Sequence, residues 1–553
     1  MIILAASTSR IVTNIIMMVV FFGLMIGIGL YYRRKAASVN GFVLGGRSVG
    51  PWLTAFAYGT SYFSAVIFIG YAGQFGYLFG VSSTWIGLGN AFIGSLLAWS
   101  ILGRRTRIMT QKIDSKTMPD FFGKRFDSKA LKIAAAVIVF VFLIPYTASL
   151  FNGLSRLFTV AFEFKNENVA YVVIVCIMAL LTAIYVTVGG YMATAMNDFI
   201  QGFIMIIGII AVIAAVLNTQ GGLTGAMQAL ATSEQAGWEF ASFFGPRPVF
   251  LVFVVILTSL GTWGLPQMVG KFYAIKHEQD IKKGTIISTV FAIIVAGGCY
   301  FLGGFGRLFY ESTDGKIIFD DIVPSMLESA ITSDLLMALV VILVLSASMS
   351  TLSSLVLTSS STLTLDLIKG SVVKEEKMTE KKQVLIMRIF IAVFIIISAA
   401  IAIIQKLFNF SEIASLMGIS WGALAGAFLA PFMFGLYWKK VTKSAVWSSF
   451  AVGLSIMIFS LIYKLAGWNF LVFKLSTGES LDFANAVVAG AISMIATIIV
   501  VPIVSLCTYH YERTRGILNT NYVNEIFTCY SGKVIASATE AIGEKVEEPL
   551  PYV

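Results

Sequence analysis

Apolar runs of about twenty residues or more recur along the whole chain, and this recurrence constrains the fold more than any other feature. A run of that length with few charges spans the hydrocarbon of a bilayer as a helix, whose backbone satisfies its own hydrogen bonds. The runs fall near 11–32, 52–75, 79–102, 131–161, 168–188, 194–218, 248–270, 285–306, 334–363, 384–405, 411–437, 444–465 and 484–508. They predict an all-α membrane protein with thirteen transmembrane helices. A soluble core is excluded, because 58% of the residues are hydrophobic, only 12% are charged and the mean hydropathy is +0.86.

The net charge of +10 does not indicate nucleic acid, because the basic residues are clustered between the apolar runs. Arg33 to Lys35, Arg104 to Lys132, Lys271 to Lys283, Lys369 to Lys382, Lys439 to Lys443 and Arg513 with Arg515 occupy alternate loops. The intervening loops carry scattered Lys and Arg accompanied by Glu163, Glu167, Asp314, Asp320 and Asp321. By the positive-inside rule this predicts a multi-pass protein of the cell membrane, N-terminus outside and C-terminus cytoplasmic. The first run is too long for a signal peptide's apolar region and ends in Arg33-Arg34-Lys35, so it is read as a retained helix. The segment 509–553, acidic at Glu544, Glu547 and Glu548, reads as a cytoplasmic tail. Cys176, Cys299, Cys507 and Cys529 form no metal-ligand spacing, and His277 and His510 lie outside the apolar runs. No disulfide, zinc centre or histidine-based catalysis is expected.

Two runs carry helix breakers at their centres. Run 52–75 contains Gly59-Thr60-Ser61 and Ser64, and run 248–270 contains Thr258-Ser259, Gly261-Thr262-Trp263-Gly264 and Pro266. Unwound backbone at membrane depth is tolerated where it lines a cavity, and a matched pair of interrupted spans points to a transport site. Counted from each, the halves hold five helices apiece. An odd count sends the second half in from the opposite side, as an inverted repeat. The expected division is a leading helix (1–35), a first repeat (36–247), a second repeat (248–440), two peripheral helices (441–508) and the tail (509–553).

In Leu345 to Asp366, Ser346, Ser350 and Ser353 form one hydroxyl stripe, and Ser350, Ser354, Thr358 and Ser361 form another. Hydroxyls here serve either close helix packing or the replacement of a cation's water shell. Asp198, in Asn197-Asp198-Phe-Ile-Gln201, is either a charge stabilised at a helix start or a functional intramembrane carboxylate.

The chain resembles the sodium/solute symporter family, whose bacterial members include sodium/proline symporters. The resemblance runs from about Tyr32 to Lys440. It is carried by Gly41-Phe-Val-Leu-Gly-Gly-Arg47, Tyr185-Val-Thr-Val-Gly-Gly190 before Asp198-Phe-Ile-Gln201, Met349-Ser-Thr-Leu-Ser353 with Asp366-Leu, and Gly435-Leu-Tyr-Trp-Lys-Lys440. It implies a LeuT-type five-plus-five inverted-repeat core. It also implies a sodium site formed by the carbonyls of Thr60, Phe63 and Ala347 and the hydroxyls of Ser350 and Thr351. Some members carry a second sodium, and the matching positions are Asp198 with Ser350, Ser353 and Ser354. The family often has Trp-Thr before this aspartate, where this chain has Met196-Asn197.

The expected function is therefore sodium-coupled import of a small polar organic solute by alternating access, with sodium as the co-transported ion. The solute is expected near Tyr62, Ser64, Thr258, Thr262 and Trp263. Proline carriers of the family place aromatic residues at Thr258 and Thr262 and an acid at Tyr62, so an amino acid, a carboxylate and a sugar-like solute all stay open. The alternative is a transporter-fold receptor that reports solute to a partner. An enzyme is not expected, because the apolar runs hold no nucleophile–base pair. Membrane lipid is the expected surrounding, with no nucleic acid and no obligatory protein partner.

Overall fold

The helix Asp334–Thr362, which carries the hydroxyl stripes, runs through the centre of the molecule. It packs against Thr8–Tyr32, Pro51–Tyr62, Lys129–Phe162, Glu167–Thr219 and Glu380–Phe408. Nearly every side chain from Met337 to Thr362 is buried, as expected of a helix that carries no charged residue after Asp334. Its hydroxyls do not disrupt it, because Ser353, Ser360 and Ser361 donate to carbonyls three residues earlier in their own helix. These relations come from a computed structural model that describes residues 8–162, 167–311, 317–369, 371–408, 413–475 and 478–530.

Among the described residues, ten helices are long and apolar enough to cross a membrane, or eleven with one bent pair counted as a span. Peripheral helices expose apolar side chains, such as Val12, Ile16, Val19 and Val20 on Thr8–Tyr32, as lipid contact requires. The helix Glu167–Thr219 is 53 residues long, far beyond the twenty or so that one passage needs. It is interrupted at Gly190, whose φ of 57° and ψ of −161° are open to glycine alone. An added Cβ there would meet Ala36 and Phe42.

Both expected breaks are present, displaced by a few residues. The first helix, Pro51–Tyr62, ends at Phe63 (φ −84°, ψ 122°) before the chain resumes through Val66–Tyr71 and Ala72–Phe79. The second, Pro248–Gly264, ends at Leu265 (φ −83°, ψ 121°) and continues as Pro266–Ala274 at 45°. Pro266 drives the residue before it out of helical geometry. In the first break no proline acts. There Thr60 and Ser61 donate to the carbonyls of Phe56 and Ala57, a bonding pattern that bends helices.

Several expectations are corrected. The protein is not purely α-helical: in the connection before the last long helix, Val472–Lys474 pairs antiparallel with Ser480–Asp482. Short helices at Met118–Arg125, Gly222–Thr232 and Ile322–Ala330 fill connections read as loops. Lys271, assigned to a loop cluster, lies buried in Pro266–Ala274. The tail is folded through Tyr530: Thr520–Phe527 sets Phe527 against Arg125, and the Tyr530 hydroxyl donates to the Arg105 carbonyl at 3.1 Å. Glu544, Glu547 and Glu548 lie outside the described residues.

Candidate ion and solute site

Pro51–Tyr62 meets the serine-bearing helix where its own hydrogen bonding runs out. The last carbonyls of a helix have no intrahelical donor, and here two of them turn toward facing hydroxyls. Thr351 Oγ1 lies 3.1 Å from the Thr60 carbonyl, 3.2 Å from that of Phe63 and 3.1 Å from that of Ala347. Ser350 Oγ lies 3.1 Å from the Thr60 carbonyl and 3.0 Å from that of Ala347. All five residues are buried. Two hydroxyl protons thus face three carbonyl oxygens, so the cluster holds more lone pairs than donors. Such an all-oxygen set, two of its five oxygens supplied by an unwound helix end, suits a small hard cation.

The carboxylate region is built differently from expectation. Asp198 is fully buried and well inside its helix, so the helix-start reading does not apply. Its Oδ2 faces Lys271 Nζ at 3.7 Å, and the ammonium donates to Ser354 Oγ at 2.9 Å. Ser354 Oγ is in turn 2.8 Å from Ser61 Oγ. Ser353 turns its hydroxyl to the Ser350 carbonyl at 2.9 Å, within its own helix. Lys271 escaped sequence reading because counting apolar residues ends a span at its first charge. Below it, Thr358, Ser361 and Thr362 line a crevice that also reaches Lys116 and Thr117, so the stripe continues as a polar wall.

A small, partly open pocket lies beside the breaks. Of the five residues expected at the solute, it brings together Tyr62 and Thr262, and adds Asn90, Ser95 and Ser288. Thr258 donates to the Val254 carbonyl of its own helix, and Trp263 Nε1 donates to the Ile93 carbonyl at 3.0 Å, which makes the indole a brace. Ser64 is buried on the other side of the break, outside the cavity lining. Asn90 and Ser95 went unread because they are single polar residues in a span without Pro. The signal was their position: Asn90 opens the widened turns Asn90–Leu97. Next to Tyr62, buried polar groups face one another: the Tyr300 hydroxyl faces the Tyr62 phenol, and the Ser64 hydroxyl and Trp421 indole N–H face the Tyr146 phenol, without well-formed hydrogen bonds. The Trp421 ring lies 5.7 Å from that of Tyr62 and 5.9 Å from that of Tyr146. Buried polar groups are normally satisfied, so this loosely paired cluster can turn toward a polar guest.

A family model for the sodium:solute symporter family matches residues 42–453. The osmoregulated proline transporter OpuE of Bacillus subtilis (strain 168) is 29% identical over 460 residues, covering 82% of this chain and 89% of that protein. A sodium/proline symporter of Staphylococcus aureus (strain JH9) is 30% identical over 453 residues, covering 80% and 85%. The fold is shared with a Na+-coupled sialic acid symporter solved in a substrate-bound outward-open state. Its TM-score is 0.69 at 15% identity, over 90% of this chain and 98% of that one. This protein is a multi-pass membrane carrier that couples the import of a small-molecule solute to sodium, not an enzyme, and it belongs to the sodium:solute symporter family.

Proposed function

We propose that one sodium ion binds to the carbonyls of Thr60, Phe63 and Ala347 and the hydroxyls of Ser350 and Thr351. The observation that carries this reading is the convergence of these oxygens around Thr351. The ion ties the broken helix to the serine-bearing one, so its binding favours whichever arrangement keeps them together. Coupling follows from that preference, since a ligand shifts an equilibrium only by its differential affinity for the two states. Inward sodium flow contributes about 2.3 kcal/mol per 100 mV of membrane potential, plus its concentration gradient.

The solute is a small polar organic molecule, an amino acid, a carboxylate or a sugar-like compound, held beside Tyr62 and Thr262. Asn90, Ser95 and Ser288 supply neutral hydrogen-bonding groups, and Ser64 serves from the far side of the break. Thr258 and Trp263 shape the site from behind. Proline, the solute named for two relatives, is one amino acid to be tested. Division of Glu167–Thr219 at Gly190 and of the first broken helix from its successor supports thirteen passages. These comprise a five-plus-five inverted repeat (36–247 and 248–440), a leading helix, two peripheral helices, the N-terminus outside and the C-terminus cytoplasmic. Lipid is its surrounding, and no obligatory protein partner enters the mechanism.

The test is a solute screen on the purified protein, reading thermal stability in sodium against potassium. Linkage requires that the transported solute bind more tightly with sodium present. A solute that stabilises equally in both salts contradicts the coupling.

A further inference from the structure

Lys271 is a cation in an unusual place. It is 3% exposed, on the second limb of the bent pair, and every polar contact it makes is on another helix. Its Nζ donates to Ser354 Oγ at 2.9 Å, faces Asp198 Oδ2 at 3.7 Å and lies 5.3 Å from the centre of the Tyr191 ring. Ser354 stands four residues, roughly one turn, beyond Ser350 on the same helix. Ser354 also reaches Ser61, the neighbour of Thr60. The ammonium is thus held by the same carboxylate and hydroxyl that the family resemblance allots to a second sodium, one turn from the first site.

A buried carboxylate needs a positive partner, and a side-chain ammonium provides one that never leaves. A free cation entering beside it would meet a like charge at a few ångströms in a site of low dielectric. We propose that Lys271 is a tethered cation that occupies the second-ion position, so that this carrier binds a single sodium. The inference rests on the sodium site proposed at Thr351. It adds that the second cation is covalently part of the second broken helix, so Asp198 and Ser354 are joined to that limb without any ion being carried.

Sodium alone is the probe. Radiolabelled sodium is titrated onto the purified full-length chain, with bound ions per chain and the Hill coefficient as readouts. The wild type is expected to bind one ion per chain. Lys271→Met exposes Asp198 and Ser354 to solution ions, so the count doubles and the Hill coefficient rises from about 1 toward 2. Lys271→Met combined with Asp198→Asn removes both charges and returns the count to the wild-type value. A wild type that binds two ions overturns the inference alone, and so does a Lys271→Met protein that still binds one. A wild type that binds none refutes the first site, and this inference with it. If Lys271→Met does not fold, Lys271→Gln, which keeps a donor for Ser354 but no charge, takes its place: a second bound ion supports the inference and a single one overturns it.

Discussion

Thr351 Oγ1 stands 3.1 Å from the carbonyl oxygen of Thr60 and 3.2 Å from that of Phe63, so a single hydroxyl spans the end of a broken helix. Two helical residues, Ser61 and Tyr62, separate those carbonyls in sequence, yet they converge because the chain turns extended at Phe63. Leu265 has almost the same backbone angles at the second break. Matching interruptions therefore frame the ion site, the cavity beside Tyr62 and the buried ammonium of Lys271.

Removing the Tyr62 hydroxyl separates binding from folding. The buried phenol faces the Tyr300 hydroxyl without a well-formed hydrogen bond, so Tyr62→Phe loses little intramolecular bonding. Thermal stability without solute is expected to stay at the wild-type level. The half-saturating concentration of the solute found by the screen is expected to rise about tenfold, the worth of one hydrogen bond to a polar guest. A fall in apo stability with unchanged uptake would make the phenol structural.

Trp263 predicts the opposite split. Its indole N–H bonds the Ile93 carbonyl, so Trp263→Phe removes a buried hydrogen bond between two helices. Stability is expected to fall by about 1–3 kcal/mol, with a smaller change in solute affinity. Thermal melting alongside uptake kinetics checks this.

Close helix packing is tested at Gly76, where an added Cβ would sit 2.1 Å from the backbone of Gly303. Gly76→Ala is expected to cost about 1–3 kcal/mol or to prevent accumulation in the membrane, since two backbones must separate. Gly270→Ala, which meets nothing within 4 Å, is the matched control and is expected to be neutral or slightly stabilising.

Asp120, in the connecting helix Met118–Arg125, gives a pH dependence. Burial pushes its carboxyl toward the neutral form, but Lys132 at 2.8 Å and Lys124 at 3.1 Å outweigh burial, so its pKa lies below the usual carboxylate range. A carboxylate depressed in the folded state contributes stability above its unfolded pKa of about 3.9, and that stability is lost as pH falls through the lower folded value. Asp120→Asn is expected to lower the melting temperature at neutral pH. Its deficit against the wild type should shrink as the pH is taken below about 4. A deficit independent of pH would contradict the assignment.

The parts of this site that were legible in the sequence share one property: they break a periodic pattern. Pro266 and the Gly59-Thr60-Ser61 cluster interrupt apolar runs, so both breaks could be located, and Ser350 stood out by spacing, whereas Thr351 lies off both stripes and was supplied by the family resemblance. Phe63 and Ala347 have no such signature, because they contribute backbone oxygen that any residue carries. They entered only through the family resemblance. Lys271 was misplaced because a charge at the edge of an apolar run looks like a loop residue until its partner, Asp198, is known to face it. Asn90, Ser95 and Ser288 went unread because hydroxyl and amide groups that meet across helices leave no mark along any one of them, as the Ser95–Ser288 contact of 2.8 Å illustrates.

The most direct test of the central claim is sodium binding to the purified double variant Ser350→Ala/Thr351→Ala, measured by isotope titration beside its thermal melt. Loss of two ion-bound hydroxyls should raise the half-saturating sodium concentration by about a hundredfold or more, while stability in sodium-free buffer falls by only about 1–3 kcal/mol, the cost of the lost hydroxyl–carbonyl hydrogen bonds. Wild-type sodium affinity in that variant would contradict the account.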